Sequence, residues 1–355
     1  MSLLFAERLK SARMLNGLSL QDLAGKLEKK ISRQALHKYE KGEVMPDSSM
    51  LAMLAAALNV SSDFFFRDSN IELGKVEFRK LSRLPVKEEN RIIAEVKDKL
   101  SRYLELEEHL GIQTGFSNPL KDIPSVTGWE DIESAAALLR IKWNLGLDPI
   151  YNLIELLEDN HIKIIEINAG DSFDGMQAWV NGHIPVIAVN KDKVKSADRV
   201  RFTIMHELCH LLIKSIEDLP EREKEKYCHQ FAGAMLMPKE MILQELGTKR
   251  NKIMIQELGL LKQQYGISIQ AIIMRAKDLA IISDAYCRQF FFFLNQMGWK
   301  QTEPPEYDFK GIEESSRFRQ LLFRALGEEI ISISKAAALT NLPVARFRDE
   351  YLKMV

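Results

Sequence analysis

Residues 204–213 read IMHELCHLLI. On a helix, histidines at i and i+4 share one face, and the glutamate after the first lies about 100° around the axis. The stretch is therefore either one turn of a buried helix or half of a zinc site that carries its own general base. From composition alone, an HExxH string is expected only about 0.01 times in this chain, which makes coincidence a poor explanation. The residue types suit the chemistry: two neutral imidazoles hold the cation, and the adjacent carboxylate takes a proton from water.

A catalytic zinc keeps three protein ligands and one open position, so a third ligand must come from elsewhere. The next helix, EREKEKYCHQFAGAMLMP (221–238), offers Glu225 and His229 at i and i+4, with Ala232 and Leu236 continuing that face toward an interior. Glu225 is the expected third metal ligand beside His206 and His210, with Glu207 as the catalytic base. His229 is expected to orient or assist a metal-binding side chain without holding the ion itself, and its use as a ligand in place of Glu225 is the rival assignment. Cys209 and Cys228 stand on the same two helices, either as small buried packing residues or as part of an oxidation-sensitive or partly thiolate-ligated site.

The rest of the chain sets the context. With 355 residues and 46% hydrophobic content it can bury more than one core. A net charge of −1 excludes a chain-wide basic field, so any DNA contact is local. Three cysteines do not form a disulfide framework, and no apolar run is long enough for a signal peptide or a membrane span. These features predict a soluble, cytoplasmic chain with no membrane partner.

Residues 5–66 predict five short helices. Ser19 precedes LQDLAGKL, Ser32 precedes RQALHKYEKG, and Pro46 breaks the chain before the apolar DSSMLAMLAAALNV and a final SSDFFF turn. Two short helices joined by a tight turn fit a helix-turn-helix. Residues 1–67 carry ten Lys/Arg and seven Asp/Glu, a net of +3. Val86–His109 predicts a charged helix that serves as a spacer, a dimerisation helix or a packed helix of the following domain. IQTGFSNPLKDIPSVTG (112–128) is the expected linker. Helices are expected at 129–145 and 149–160, a strand at 162–167, and a hairpin around Asn181-Gly182. Residues 184–190 are expected to form an exposed strand that binds a peptide by adding it to the sheet. CRQFFFFLNQMGWK reads as a core or contact helix, and the helix-break-helix pattern near the C-terminus as a packing module.

Two resemblances follow from these residues. LSLQDLAGKL with ISRQALHKYEKGEVMPDSSMLAMLAAALNVSSDFFF resembles the phage-repressor (XRE) type of helix-turn-helix domain over nearly its whole length. The resemblance implies that the second helix of the pair enters the major groove of an operator in double-stranded DNA. Ser32, Arg33, Gln34 and Lys38 then lie near bases or phosphates, with Gln21 at a helix start near a phosphate. ADRVRFTIMHELCHLLI followed by E…CHQFAGAMLMP resembles the ImmA/IrrE metallopeptidases across roughly residues 129–282, although Cys209 and Cys228 stand where that family usually has smaller residues.

The expectation is thus a multidomain chain: an all-α helix-turn-helix domain at 1–67, a helical spacer and linker at 68–128, an α+β zincin-like metallopeptidase domain with a small sheet at 129–282, and a helical C-terminal module at 283–355. Its expected activity is that of a narrow-specificity, Zn2+-dependent endopeptidase that cleaves a repressor, antitoxin or stress regulator, in a homodimeric transcriptional regulator. The alternative is a transcription factor whose metal- or ligand-binding domain acts as a sensor without turnover.

Overall fold

In the computed structural model, which describes residues 2–67, 71–74, 77–80, 84–113, 115–170, 173–191 and 197–351, side-chain caps set the N-terminal helices. These are α1 (Ser2–Leu15), α2 (Leu20–Lys26), α3 (Arg33–Glu40) and α4 (Ser48–Ala57). Ser19 accepts from the Asp22 amide while the Asp22 carboxylate accepts from the Ser19 amide, a reciprocal capping box. Ser32 and Asp47 accept from the amides of Ala35 and Met50 at the starts of α3 and α4. The expected fifth helix is a five-residue 3-10 turn, Ser62–Phe66, with no side-chain cap bond. It delivers Phe64 and Phe65 to a core shared with Phe5, Leu9, Leu36 and Leu54. Helix α5 (Val86–His109) is tied to this core by a buried ion pair, Arg8 to Asp98 at 3.3 Å.

The remaining elements begin with a strand drawn from upstream of α5, β1 (Glu77–Lys80). After α5 come α6 (Trp129–Lys142), α7 (Leu153–Asp159), β2 (Lys163–Ile167), β3 (Phe173–Val180), β4 (Ile184–Asn190), α8 (Ala197–Leu212) and α9 (Glu221–Leu236). Helices α10 (Lys239–Leu246), α11 (Ile255–Tyr265), α12 (Ile269–Asp278) and α13 (Asp284–Gln296) follow. The sheet order is β1-β3-β4-β2, with β2 parallel to β4 and the other pairs antiparallel. Asn181 and Gly182, with φ of 50° and 74°, make the left-handed hairpin turn that the dipeptide predicts. Pro185 precedes the start of the β2 pairing at Val186, so its missing donor costs that ladder nothing.

Strand β4 corrects one expectation. It is an interior strand, paired on both sides and buried along its whole length, so no peptide adds to residues 184–190. Its parallel partner β2 comes from before the hairpin, a non-local pairing that the hairpin signal does not contain. The expected linker at 112–128 also departs from expectation. Leu120 and Val126 enter the core, and the Asn118 side-chain amide donates to the Leu212 carbonyl at 2.8 Å.

Buried cations fix the helices around the sheet. Arg201 on α8 is fully buried, pairs with Glu313, and donates to the carbonyls of Ile150 (2.8 Å) and Gly266 (3.1 Å). Gly266 has φ 60°, and a Cβ there would lie 2.5 Å from the Arg201 Nε, so glycine is required on both counts. Arg140 donates to the Met235 carbonyl, and Arg275 donates through Nε to the Met237 carbonyl at 2.6 Å while gripping Glu133 through its two terminal nitrogens. The C-terminal end of α9 is thereby pinned by two guanidinium groups.

The last helices, α14 (Arg317–Gly327), α15 (Ile333–Thr340) and α16 (Val344–Tyr351), pack elsewhere. Leu321, Leu322, Leu339 and Phe347 form a core with Tyr103 and Leu106 of α5. The chain accordingly forms two units: Met1–Leu73 with Ser82–Thr114 and Ser316–Val355, and Gly74–Leu81 with Gly115–Ser315. This differs from the expected boundaries. Cys287, Phe290 and Leu294 of α13 belong to the core of the second unit, so 283–355 is not one module, and α5 is an integral helix of the first unit. Among the described residues no helix is long and apolar enough to cross a membrane.

Strand β3 crosses α8 at Gly175, where an added Cβ would lie 2.8 Å from Thr203 Cγ2, 3.2 Å from the Ala188 carbonyl oxygen and 3.5 Å from Glu207 Cγ. Gly175→Ala is expected to destabilise the protein by about 1–3 kcal/mol through overpacking. Combining it with Thr203→Ser, which removes the nearest obstructing methyl, is expected to restore part of that loss. Denaturant unfolding of the single and double variants measures both, and an unchanged midpoint for the single variant would show that the strand and helix are not in close contact.

Candidate metal centre and DNA-binding helix

The site is built where α8 and α9 pack together. His206 and His210, one turn apart on α8, bring their Nε2 atoms to 3.3 Å from each other. Glu225, near the start of α9, places Oε2 3.3 Å from His206 Nε2 and Oε1 3.5 Å from His210 Nε2. The two imidazoles are buried, and the Glu225 side chain is 34% exposed, so the cluster opens to solvent on its carboxylate side. Zinc bonds of about 2.0–2.2 Å at tetrahedral angles place ligand atoms about 3.3–3.5 Å apart. The observed spacings match that requirement, and the donor set, two imidazoles and one carboxylate, fits such an ion.

The electrostatics agree. Hydrogen bonds from His206 and His210 hold the Glu225 carboxyl far below the usual carboxylate range, against the opposing effect of burial. Burial by itself depresses His210, yet its contacts with Cys228 and Glu225 overcome this and push it up to about 10. Without an ion, the cluster therefore keeps a positive charge of its own in the form of a proton.

His229 lies one turn beyond Glu225, with its Nδ1 2.6 Å from the Glu225 backbone carbonyl, to which it donates. Its ring stands edge-on to His206 with centroids 4.6 Å apart, and a nitrogen of His229 joins His206 and Glu225 in a donor group within 4.8 Å. Both its orienting role and the rival ligand role thus have geometry behind them. Cys228 differs. Its Sγ lies 3.6 Å from His210 Nδ1, whereas Glu225 and His206 meet His210 at Nε2. His206, His210 and Cys228 also offer donor atoms within 4.8 Å of one another, but the two nitrogens lie on different edges of the His210 ring, so the thiol is an alternative to Glu225 and not an addition to it. Burial, reinforced by Cys209, pushes the Cys228 thiol up well above its usual value, which keeps it protonated. The thiol occupies the place where a carboxylate or carbonyl usually orients a ligand imidazole.

Glu207 follows His206 on α8 and is buried, with its Cγ against the backbone of β3 at Gly175. Gly175 is the residue that the sequence reading missed. A glycine inside a strand marks a close backbone approach, and that signal was present in FDGMQAWV.

In the first unit, α3 presents a free face. Arg33, Gln34, His37 and Lys38 are exposed and Leu36 alone is buried, while Arg13 of α1 grips Glu40 through two guanidinium nitrogens at 2.6 and 2.8 Å. Ser32 is exposed at the start of α3, where its hydroxyl serves as the cap, and Gln21 is exposed in the first turn of α2. The five predicted DNA-contact residues are therefore all accessible.

Comparison with known proteins agrees with this division. Residues 9–65 match the family model of helix-turn-helix domains, and residues 157–277 match that of the IrrE N-terminal-like domain, a peptidase M78 family. The prophage-derived HTH-type transcriptional regulator YonR of Bacillus subtilis (strain 168) is 36% identical over 110 residues, which is 30% of this chain and 100% of the relative. The chain belongs to the XRE-type helix-turn-helix regulators and carries, behind its DNA-binding domain, a domain of the ImmA/IrrE (M78) metallopeptidase family.

Proposed function

We propose that this regulator is a zinc-dependent endopeptidase of narrow specificity, which cleaves one regulatory protein, a repressor, an antitoxin or a stress regulator, and binds operator DNA as a homodimer. The convergence of His206, His210 and Glu225 at zinc-ligand spacing carries the reading. Zinc held there supplies Lewis acidity toward a peptide carbonyl and water. Glu207 takes the proton from the attacking water and passes it to the leaving amine, a role for which its burial beside the cluster suits it. His229, its ring fixed by the bond to the Glu225 backbone carbonyl and set edge-on to His206, helps to position that imidazole. A sensor without turnover has no need of Glu207.

Native mass spectrometry separates these roles. Wild type and Glu207→Gln are expected to carry one zinc each, and Glu225→Ala to lose it; zinc retained by Glu225→Ala would move the third ligand to His229. Because His210 holds a proton up to about 10 in the metal-free chain, zinc must displace that proton at neutral pH. Affinity therefore rises with pH through the neutral range, and calorimetry in buffers of different ionisation enthalpy is expected to register release of about one proton per zinc.

For the DNA-binding unit, a sequence selected from a random duplex pool serves as the probe. Arg33→Ala and Gln34→Ala are each expected to cost about 1–3 kcal/mol on that sequence. Lys38→Ala is expected to weaken all sequences alike and to lower the salt slope by about 1. Equal losses on selected and random duplex for all three variants would remove α3 from the role of reader.

A further inference from the structure

The sheet carries a strand that the matched metallopeptidase domain does not supply. Residues 157–277 contain β2, β3 and β4, whereas β1 comes from Glu77–Lys80, ahead of α5. In the order β1-β3-β4-β2, removing β1 would leave β3 as the edge. That edge is not remote from the chemistry. β3 meets α8 at Gly175, whose Cβ position lies 3.5 Å from Glu207 Cγ. In the antiparallel register Arg79 stands opposite Gly175 and Phe78 opposite Met176, and the register breaks between Arg79 and Lys80. The register therefore slips beside the proposed general base, where Lys80 pairs opposite Phe173.

An unpaired strand edge binds an extended peptide through main-chain hydrogen bonds, which any sequence provides. The β3 edge next to Glu207 is where a peptide could be laid for cleavage, and a piece of this chain already lies there. We propose that β1 is a built-in occupant of the substrate edge, an autoinhibitory strand that an extended segment of the substrate protein must displace. The proposal rests on the peptidase reading for its purpose, though not for its geometry. A four-residue strand interrupted by a register shift, with one further bond from the Gly74 amide to the Trp179 carbonyl at 2.8 Å, is a short edge ladder, and such elements open locally at lower cost than the core does. A substrate strand that adds to β3 replaces the same backbone bonds, so the exchange is nearly balanced and is decided by what else the substrate contacts. In this arrangement cleavage is confined to partners that bring additional contacts, which accounts for narrow specificity without a deep pocket.

The test uses the full-length, zinc-loaded chain in a Glu207→Gln background, so that binding is read without turnover. Phe78→Pro with Arg79→Pro removes two consecutive amide donors from β1, and since successive residues of a strand point their amides to opposite sides, one loss falls on the β3 ladder. The probe is a fluorescein-labelled peptide of sequence ELGKVEFRKLS, the chain's own residues 72–82. The expected result is weak binding to the parent and about tenfold tighter binding to the proline variant, the ratio for an edge open about a tenth of the time. Hydrogen exchange is expected to quicken at β3 amides facing β1 and to stay slow at those facing β4, with zinc content unchanged. Equal peptide affinity for both proteins, or equal exchange at the β1-facing amides, overturns the proposal. The peptidase reading fails separately: tighter binding to the proline variant with no peptide hydrolysis once Glu207 is restored leaves the strand exchange standing and removes its catalytic purpose.

Discussion

Three lone-pair donors held 3.3–3.5 Å apart in a largely buried cluster repel one another unless a proton or a cation sits among them, and the second unit is arranged to withstand that repulsion. The donors lie on two helices, so the spacing survives only if α8 and α9 cannot slide. Arg201 clamps α8 to Glu313 and to the carbonyls of Ile150 and Gly266, while Arg140 and Arg275 hold the last carbonyls of α9. Buried guanidinium groups are costly to desolvate, and their hydrogen bonds are directional, which makes them better suited to fixing register than to adding net stability. From the sheet side, β3 sits against α8 where Gly175 has no side chain. Each of these contacts bears on where the imidazole and carboxylate atoms stand.

Much of this was legible in the residues because the information was local. The i, i+4 histidines, the Glu225 and His229 pair on the following helix, the Asn181-Gly182 turn and the Ser19 and Ser32 caps all depend on a few neighbouring side chains. Helix α5 occupies the span its periodicity marks out. What stayed hidden was non-local. EFRK carries no sign that it pairs with a strand far ahead in the chain, and the hairpin gives no sign that β2 closes its second side and buries β4. Arg140, Arg201 and Arg275 read as surface residues by type, since arginine is seldom buried without partners, and the carbonyls that receive them come from distant loops and helix ends. The aromatic run 290–293 showed that α13 packs against something but not what, and the apolar stripe of α5 gave no hint that its cover lies at the other end of the chain.

That last pairing shapes how the molecule is made. The stripe at Tyr103 and Leu106 is covered by α14 to α16, which begin at Arg317. At roughly 5–20 residues per second, a ribosome takes roughly 10–40 s to synthesise the intervening stretch. Through that interval the Tyr103 and Leu106 stripe of α5 is uncovered, while the second unit, whose last clamping residue is Glu313, lies between the parts of the first and is fully synthesised just before α14. The helix-turn-helix core, made wholly from residues 5–65, and the second unit can therefore both form before the cover of α5 is made, and a chain released just after Ser315 would carry the metal cluster without a finished partner for α5.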